Sequence, residues 1–180
     1  MRIFWRYGYA STSIQRLSDQ LTLHPGSLYG AFKNKRQLFM EALELYFERS
    51  SQSIRQALES GDSPLQGIRC FFGQLLDQIG DESSIKGCLM INTATELAEE
   101  AEDEALARRL DEMFRSHERQ FQHALVAAQA SGELAKEKDP AALARFLLVG
   151  VRGLRLYGQT RPPRKELESV VEQLLSVLYR

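Results

Sequence analysis

Residues 12–35 read TSIQRLSDQLTLHPGSLYGAFKNK. Within them, apolar residues recur at the spacing of one helical face, first at Ile14, Leu17 and Leu21 and then at Leu28 and Phe32. Thr12 or Ser13 supplies a capping hydroxyl before the first helix, and Pro25 suits the first position of the second. Because only residues 22–24 separate the two patterns, the segment predicts two short helices joined by a tight turn.

Helices this short are marginal on their own and need a neighbour to bury their apolar faces. The recurring solution is a helix-turn-helix unit that packs on a third helix. The second helix of the unit fits the major groove of duplex DNA. Residues 1–40 support this interpretation, since they carry six basic residues against one acidic residue, a net charge of +5. The other 140 residues carry 17 basic against 23 acidic residues, a net charge of −6. The asymmetry indicates that this N-terminal segment, the head, binds a polyanion, although a chance distribution of charge explains it as well.

Composition bounds the remaining possibilities. A chain of 180 residues with 43% hydrophobic side chains can form one ordinary core or two small ones. No apolar run reaches the ~20 residues that span a bilayer, so we expect a cytoplasmic protein without a membrane partner. Cys70 and Cys88 are too few for a disulfide scaffold and too far apart for a CxxC pair.

Every periodic segment has helical spacing, so the predicted fold class is all-α. The pattern from about residue 35 to 59 is unbroken, which predicts one long helix that joins two regions. We therefore expect a helix-turn-helix domain at residues 1–47 and a helical ligand-binding and dimerisation domain at residues 48–180. Within the second domain, Ser63-Pro64 and Asp139-Pro140 have the cap-and-proline pattern of helix starts.

The head carries a recognisable pattern of small, aromatic and lysine residues. It consists of Gly8-Tyr9, Thr12-Ser13-Ile14, Leu17, Leu21, Leu23, Gly26-Ser27-Leu28-Tyr29, Phe32, Lys33-Asn34-Lys35 and Leu38. This pattern resembles the DNA-binding domain of the TetR/AcrR family of bacterial regulators. Residues 87–92, GCLMIN, followed by Glu96-Leu97, resemble a segment common in one branch of that family.

The resemblance implies a set of DNA contacts. It places Pro25, Gly26, Ser27, Gly30 and Ala31 on the groove-facing surface, with Tyr29 and Lys35 on phosphates. Thr12 and Ser13 stand at a helix N-terminus, which suits a phosphate oxygen, and Gln15 can reach a base edge or the backbone. The alternatives are that Tyr29 is packing and that the lysines form an ordinary solvated face. Gly30 indicates either close approach of the helix backbone to DNA or simple tolerance of glycine.

The chain departs from the family pattern at two places. Only three residues precede Phe4, so we expect a truncated first helix or a misassigned start. Thr22 replaces the glycine usual in the turn, which predicts a strained or differently shaped turn. His24 stands where the family usually has a capping hydroxyl, and we interpret it as an imperfect cap or a residue at the DNA edge.

Two apolar stripes near the C-terminus predict dimerisation. They comprise Leu143, Phe146, Leu147, Gly150, Val151, Leu154 and Tyr157, and then Leu167, Val170, Val171, Leu174, Leu175 and Leu178. The two helices can close a core within one chain, but the first is apolar around much of its circumference. A four-helix bundle across a two-fold axis would cover the surplus face, so we expect a homodimer.

Large, adaptable side chains in the middle helices predict a ligand pocket or simply a core. They are Phe71, Phe72, Leu75, Cys88, Met90, Asn92, Met113, Phe114, His117 and Phe121. In the family such a pocket binds a small-molecule inducer, with Asn92 or His117 as a polar contact here. Cys88 or Cys70 as a sensor of oxidants or electrophiles is a sharper hypothesis, and a buried inert thiol is the commoner outcome.

Catalysis has no support in these residues. His117 and His123 are six positions apart, which puts them on different faces of a helix, and the acidic run at residues 99–104 contains no histidine. We therefore expect no enzyme, no metal and no cofactor. Together with the resemblance, these residues predict a ligand-responsive regulator that binds a palindromic operator in double-stranded DNA as a homodimer. The resemblance implies that it is a repressor. The alternative is a helical ligand-binding or adaptor protein of the same fold that has lost specific DNA binding.

Overall fold

A computed structural model describes residues 1–85, 87–99 and 103–179, without the side chains of residues 97–99. All the regular elements within these ranges are helices. They are α1 (Arg2–Tyr7), α2 (Ile14–Leu21), α3 (Pro25–Ala31), α4 (Lys35–Glu59), α5 (Pro64–Gly80), α6 (Leu89–Glu99), α7 (Glu104–Ala130), α8 (Pro140–Tyr157), a 3₁₀ turn (Gly158–Thr160) and α9 (Arg164–Ser176). The predicted all-α fold class is confirmed. No helix in the described part has the length and apolar character that crossing a membrane requires.

The chain forms two compact units. The first comprises Met1–Arg49 and Cys88–Leu110, and the second comprises Ser50–Gly87 and Asp111–Arg180. The division near residue 49 lies close to the predicted boundary at residue 47. The difference is that the segment containing α6, which we expected in the second domain, belongs with the head. Its physical reason is a set of hydrogen bonds between α6 and the loop after α1, described below.

The core of the first unit is aromatic. Phe4 from α1 and Phe39 from α4 are buried and meet edge to face, with ring centroids 5.1 Å apart. Leu17 of α2 and Leu28 of α3 are also buried, and the two short helices contact each other. The helix-turn-helix unit is thus anchored by one leucine from each of its helices.

The turn between α2 and α3 is held in an unusual backbone conformation. Thr22 has φ 55° and ψ 38°, in the left-handed region that favours glycine. The Leu23 N–H donates to the Ser18 carbonyl at 3.1 Å, and the Ser18 hydroxyl donates to the Leu23 carbonyl. The expectation of a strained turn at Thr22 therefore agrees with its backbone geometry, since a β-branched residue is costly there.

The core of the second unit joins α5, α8 and α9 with parts of α4 and α7. Phe71 meets Phe72 and Phe121 edge to face, with centroids 5.5 and 4.9 Å apart. The predicted helix starts are present, because Ser63 accepts from the Gln66 N–H and Asp139 accepts from the Ala141 N–H. Gly150 lies close to α9, because a Cβ there would come within 2.6 Å of the Leu174 side chain and would force that side chain to move.

The C-terminal stripes need a correction. Seven residues predicted at a dimer interface are buried within their own chain, namely Leu147, Val151, Leu154, Leu167, Val171, Leu175 and Leu178. They close the core of the second unit, because the inner faces of α8 and α9 pack on α5 and on each other. Phe146, Tyr157 and Val170 are exposed, and Leu143, Gly150 and Leu174 are half-buried.

The surplus apolar face of α8 lies elsewhere on the helix. Phe146, Val149, Gly153 and Leu156, which we call the outer stripe, recur at separations of three, four and three residues. Val149 is 62% exposed and Leu156 is 59% exposed. A Cβ at Gly153 would meet nothing within 4 Å. The outer stripe is therefore open in the single chain, and two of its large residues were missed by the sequence prediction.

The ten residues predicted to line one pocket are divided between the units. Cys88, Met90 and Asn92 lie in the first unit, and the other seven lie in the second. Phe71, Phe72, Leu75 and Phe121 belong to the buried core of the second unit, which is the alternative that the sequence left open. Met90 and Met113 are also fully buried, while Asn92 and Phe114 are half-buried.

Two open cavities on the second unit are lined by other residues. One of about 480 Å³ lies between α5 and α9, and includes Arg69, Leu76 and Tyr179. One of about 540 Å³ lies where α4 ends and α5 begins, against α7, and includes Arg55 and Gln120. None of the ten predicted pocket residues lines either cavity.

Candidate nucleic-acid interface

Helix α3 presents a small, open surface. Gly26, Ser27, Gly30 and Ala31 are exposed, and Pro25 is half-buried at the first helical position. A Cβ at Gly30 would meet nothing within 4 Å, so packing within the chain does not require glycine there. This surface lets the helix backbone approach a partner closely.

The imidazole of His24 begins this helix. Its Nδ1 accepts a hydrogen bond from the Gly26 N–H at 3.2 Å, in place of the hydroxyl that usually caps a helix. The interpretation of His24 as a cap is therefore confirmed. Because the capping nitrogen is an acceptor, the proton of the neutral ring is on its other nitrogen.

Tyr29 projects from α3. Its side chain is 54% exposed, and its hydroxyl makes no hydrogen bond to any part of the chain that the structure describes. The alternative that Tyr29 serves as packing is therefore disfavoured by its exposure. A free hydroxyl on an exposed ring can donate to a phosphate oxygen.

Lys35 is less free than the sequence suggests. It is half-buried at the start of α4, and its Nζ donates to the Tyr9 carbonyl at 3.1 Å. The same ammonium lies 4.2 Å from the centroid of the Tyr9 ring, in a cation–π contact. An ammonium has three donors, so a phosphate contact by Lys35 would use those that Tyr9 does not occupy.

Thr12 is a correction. Its side chain is fully buried, its hydroxyl donates to the Gly8 carbonyl at 2.6 Å, and its N–H donates to the Tyr9 carbonyl at 3.2 Å. Both polar groups are used to shape the loop between α1 and α2, so Thr12 does not present a donor to a phosphate. Ser13 caps α2 by accepting from the Arg16 N–H and stays exposed.

The first turns of α2 carry further polar residues. Gln15 is exposed, and its Nε2 donates to Asp19 Oδ1 at 2.8 Å. Arg16, which the sequence analysis did not select, lies over the Tyr7 ring at 4.6 Å and donates to the Ser11 carbonyl at 3.2 Å. The signal that the sequence offered was a basic side chain in the first turn of a helix predicted to contact phosphates. These contacts hold a cation and an amide beside the exposed Ser13.

A carboxylate from α6 holds the loop that precedes α2. Glu96 accepts from the Tyr9 N–H at 2.9 and 3.2 Å and from the Ala10 N–H at 3.1 Å. Gly8 lies beside it with φ 78°, in the left-handed region that favours glycine, and a Cβ there would meet the Glu96 carboxylate. Glu96 and Gly8-Tyr9 were both part of the resemblance, but no local pattern could have paired them.

Two bidentate ion pairs join further parts of the first unit. Arg36 donates to both carboxylate oxygens of Asp103 at 2.7 and 2.8 Å, and Arg109 donates to both oxygens of Glu44 at 2.6 Å. The Arg36 guanidinium lowers the pKa of Asp103 to about 2. One of the six basic residues of the head is thus neutralised by an acidic residue of the body sequence. Glu100 and Glu102 of the same acidic run lie outside the described residues.

The remaining predicted site residues are two free cysteines and a histidine. Cys70 is half-buried and Cys88 is buried, directly before the first residue of α6. Sensing of oxidants by either thiol stays a prediction. His117 is half-buried on α7 while His123 is exposed, as expected for positions on different faces of one helix.

Comparisons with known proteins agree with this geometry. Residues 1–42 match the family described as bacterial regulatory proteins, tetR family, and residues 64–174 match the tetracyclin repressor-like C-terminal domain. The chain is 32% identical to YezE, an uncharacterized HTH-type transcriptional regulator of Bacillus subtilis, over 99% of this chain and 91% of that protein. It is 28% identical to the HTH-type transcriptional repressor ComR of Escherichia coli, over 87% of this chain and 74% of that protein.

A solved structure extends the similarity to three dimensions. A cysteine-substituted form of the TetR family transcriptional regulator CifR, complexed with 26-base-pair operator DNA, superposes with a TM-score of 0.88. The two are 29% identical, and the match covers 97% of this chain and 90% of that one. These findings confirm the prediction of a regulator rather than an enzyme. With its helix-turn-helix head and its matching C-terminal domain, the chain belongs to the TetR family of bacterial transcriptional regulators.

Proposed function

We propose that the protein is a repressor that binds a palindromic operator as a homodimer and is released by a small molecule bound in its C-terminal domain. The observation that carries the DNA-binding part is the exposed surface of α3, with small residues along the helix and Tyr29 beside them. Small residues let the helix enter the major groove closely, where methyl contacts and DNA shape contribute to readout. Ser13, Tyr29 and Lys35 supply the donors for backbone phosphates.

The proposed partner for dimerisation is a second copy of the chain, seated on the outer stripe. Its three-four-three spacing is that of a helix-packing seam, and its large side chains are exposed in the single chain. Val170 of α9 and Tyr157 at the end of α8, both predicted at the interface, are exposed as well. A two-fold axis at this face would create a four-helix bundle and bury the stripe against itself.

Dimerisation also supports the DNA contact. Two recognition helices about 34 Å apart meet successive major grooves on one side of a palindrome, so the second contact is effectively intramolecular. A small molecule can bind more tightly to a conformation in which the two recognition helices no longer match successive major grooves. A preference of a few kcal/mol for that conformation over the DNA-binding one would release the DNA. Repression is favoured by the name of the relative ComR, and the place of action would be the cytoplasm, where bacterial operator DNA lies.

The test is a mobility-shift titration with the DNA that flanks the gene encoding the protein. A specific regulator should bind it at about nanomolar to submicromolar concentration with a steep dependence on salt. Tyr29→Ala should weaken binding roughly tenfold. Tyr179→Ala is the matched control, because Tyr179 is a similarly exposed tyrosine that follows α9 in the second unit. Equal binding to unrelated DNA at physiological salt would favour the adaptor alternative and contradict the proposal.

A further inference from the structure

Four side chains on facing helices of the second unit form what we call the arginine cluster: Phe114 and His117 of α7, and Arg152 and Arg155 of α8. Within each pair the residues are three positions apart, so they share one face of their helix. The Arg152 guanidinium lies 4.2 Å from the centroid of the Phe114 ring, which joins the two faces. The cluster therefore places two cations beside an aromatic ring and an imidazole.

The imidazole does not supply a compensating charge. His117 Nε2 lies 3.0 Å from the Ser51 hydroxyl oxygen and 3.3 Å from that of Ser50. Burial, together with the nearby positive charges of Arg155 and Arg152, lowers the pKa of His117 to about 4. The ring is neutral at pH 7, and it can accept or donate a proton in a hydrogen bond according to its tautomer.

The two arginines differ from Arg145 of the same helix in the partners of their guanidinium groups. Arg145, two turns earlier on α8, pairs with Glu118 of α7 at 3.2 Å. Arg155 instead donates to the neutral Gln78 amide at 3.0 Å, and Arg152 stacks on Phe114. Neither has a carboxylate within 4.0 Å among the residues that the structure describes. Both are half-buried, which makes an uncompensated charge more costly than on an open surface.

We infer that the arginine cluster binds the carboxylate of a small organic acid with a flat apolar body. This inference rests on the proposed function, because it assigns a chemical class to the inducer. A guanidinium fork matches a carboxylate in geometry, and a pair of them one turn apart can hold both of its oxygens. The Phe114 ring restricts the Arg152 side chain and offers an apolar surface to the body of the ligand.

The experiment measures binding of benzoate to the purified protein by calorimetry, without DNA. Benzamide is the matched neutral probe, since it has the same ring and shape without the charge. Wild type should bind benzoate at least roughly tenfold more tightly than benzamide. Arg152→Gln and Arg155→Gln should each lose roughly tenfold or more in benzoate affinity, whereas Arg145→Gln should be unchanged. Thermal unfolding of each variant checks that it is folded, and Arg152→Lys keeps the charge but removes the fork.

The outcomes separate this inference from the proposed function. No binding of benzoate, equal binding of benzamide, or unchanged binding by both folded glutamine variants would overturn the inference. Operator binding by the unliganded protein is measured apart, so its failure would count against the proposed function alone. When both hold, benzoate should weaken operator binding by wild type and have no such effect on Arg155→Gln.

Discussion

Glu96 accepts hydrogen bonds from the backbone N–H of Tyr9 at 2.9 and 3.2 Å, although 87 positions separate the two residues in sequence. The contact joins α6, within the segment that matches the C-terminal family domain, to the loop that leads into α2. A carboxylate that binds two successive amides fixes the loop more firmly than a neutral acceptor would. The position of Ser13 and the start of α2 thus depend on a residue of α6.

Replacing Glu96 should loosen this loop. Glu96→Ala leaves the Tyr9 and Ala10 N–H groups without their acceptor, which should lower the free energy of unfolding by about 1–2 kcal/mol. Operator binding should weaken as well, because the donors at the start of α2 lose their fixed position. Thermal unfolding and mobility-shift titration measure the two effects. Glu137→Ala, at an exposed glutamate of the second unit, is the control, and equal behaviour of the two variants would contradict the role of Glu96.

Thr22 offers a stabilising substitution. Its φ of 55° is costly for a β-branched residue and free of strain for glycine, so Thr22→Gly should raise the free energy of unfolding by about 0.5–1 kcal/mol. Operator binding should be unchanged, since the turn keeps its shape. Thr22→Ala, which retains a Cβ, should give much less stabilisation. A lower melting temperature for Thr22→Gly would show that the threonine side chain is stabilising in this turn.

Acid should destabilise the second unit through His117. The pKa of His117 is about 4 in the folded protein, below the 6.5 of an ordinary histidine, because of burial and the nearby Arg155 and Arg152. Between these values the unfolded chain binds more protons, so stability falls as the pH drops from about 6.5 to 4, by on the order of 3 kcal/mol from this group. Urea unfolding at pH 7 and pH 5 should show a smaller difference for His117→Gln than for wild type. Equal differences would contradict a lowered pKa for His117 in the folded protein.

A charge in the outer stripe should weaken the proposed dimer. Val149→Glu places a carboxylate where the second copy would pack, which should weaken self-association by about 2–4 kcal/mol. Val126→Glu is the matched control, because Val126 is a similarly exposed valine on α7. Sedimentation velocity across a concentration series measures both. A dimer that persists unchanged in Val149→Glu would place the interface elsewhere.

The sequence predicted local structure well because caps and periodicity act over a few residues. Pro25 does start a helix, and Asp139 does cap one, since the chemistry of each lies within one turn of the chain. Periodicity also identified α8 as apolar on more than one face. It could not tell which face packs inside the chain, so Leu147 and Val151 were assigned to an interface and Val149 was missed.

The residues of the candidate nucleic-acid interface also include some that local sequence predicts and some that it does not. The exposure of Tyr29 follows from its position on an amphipathic helix, and a sequence pattern contains that information. The burial of Thr12 depends on how the loop after α1 folds over its own hydroxyl, and the bonds of Glu96 depend on a helix far along the chain. Such long-range contacts leave no trace in the spacing of nearby residues.

The contact between Lys35 and Tyr9 affects the entropy that the Lys35 side chain loses when it binds a phosphate. A free lysine side chain loses up to about 2 kcal/mol of rotamer entropy when it becomes fixed. In this protein the ring and carbonyl of Tyr9 already restrict the chain of Lys35, so much of that loss occurs when the protein folds. A phosphate that binds Lys35 would then cause little further loss of side-chain entropy. The restricted ammonium, however, can reach phosphates over a smaller range of positions.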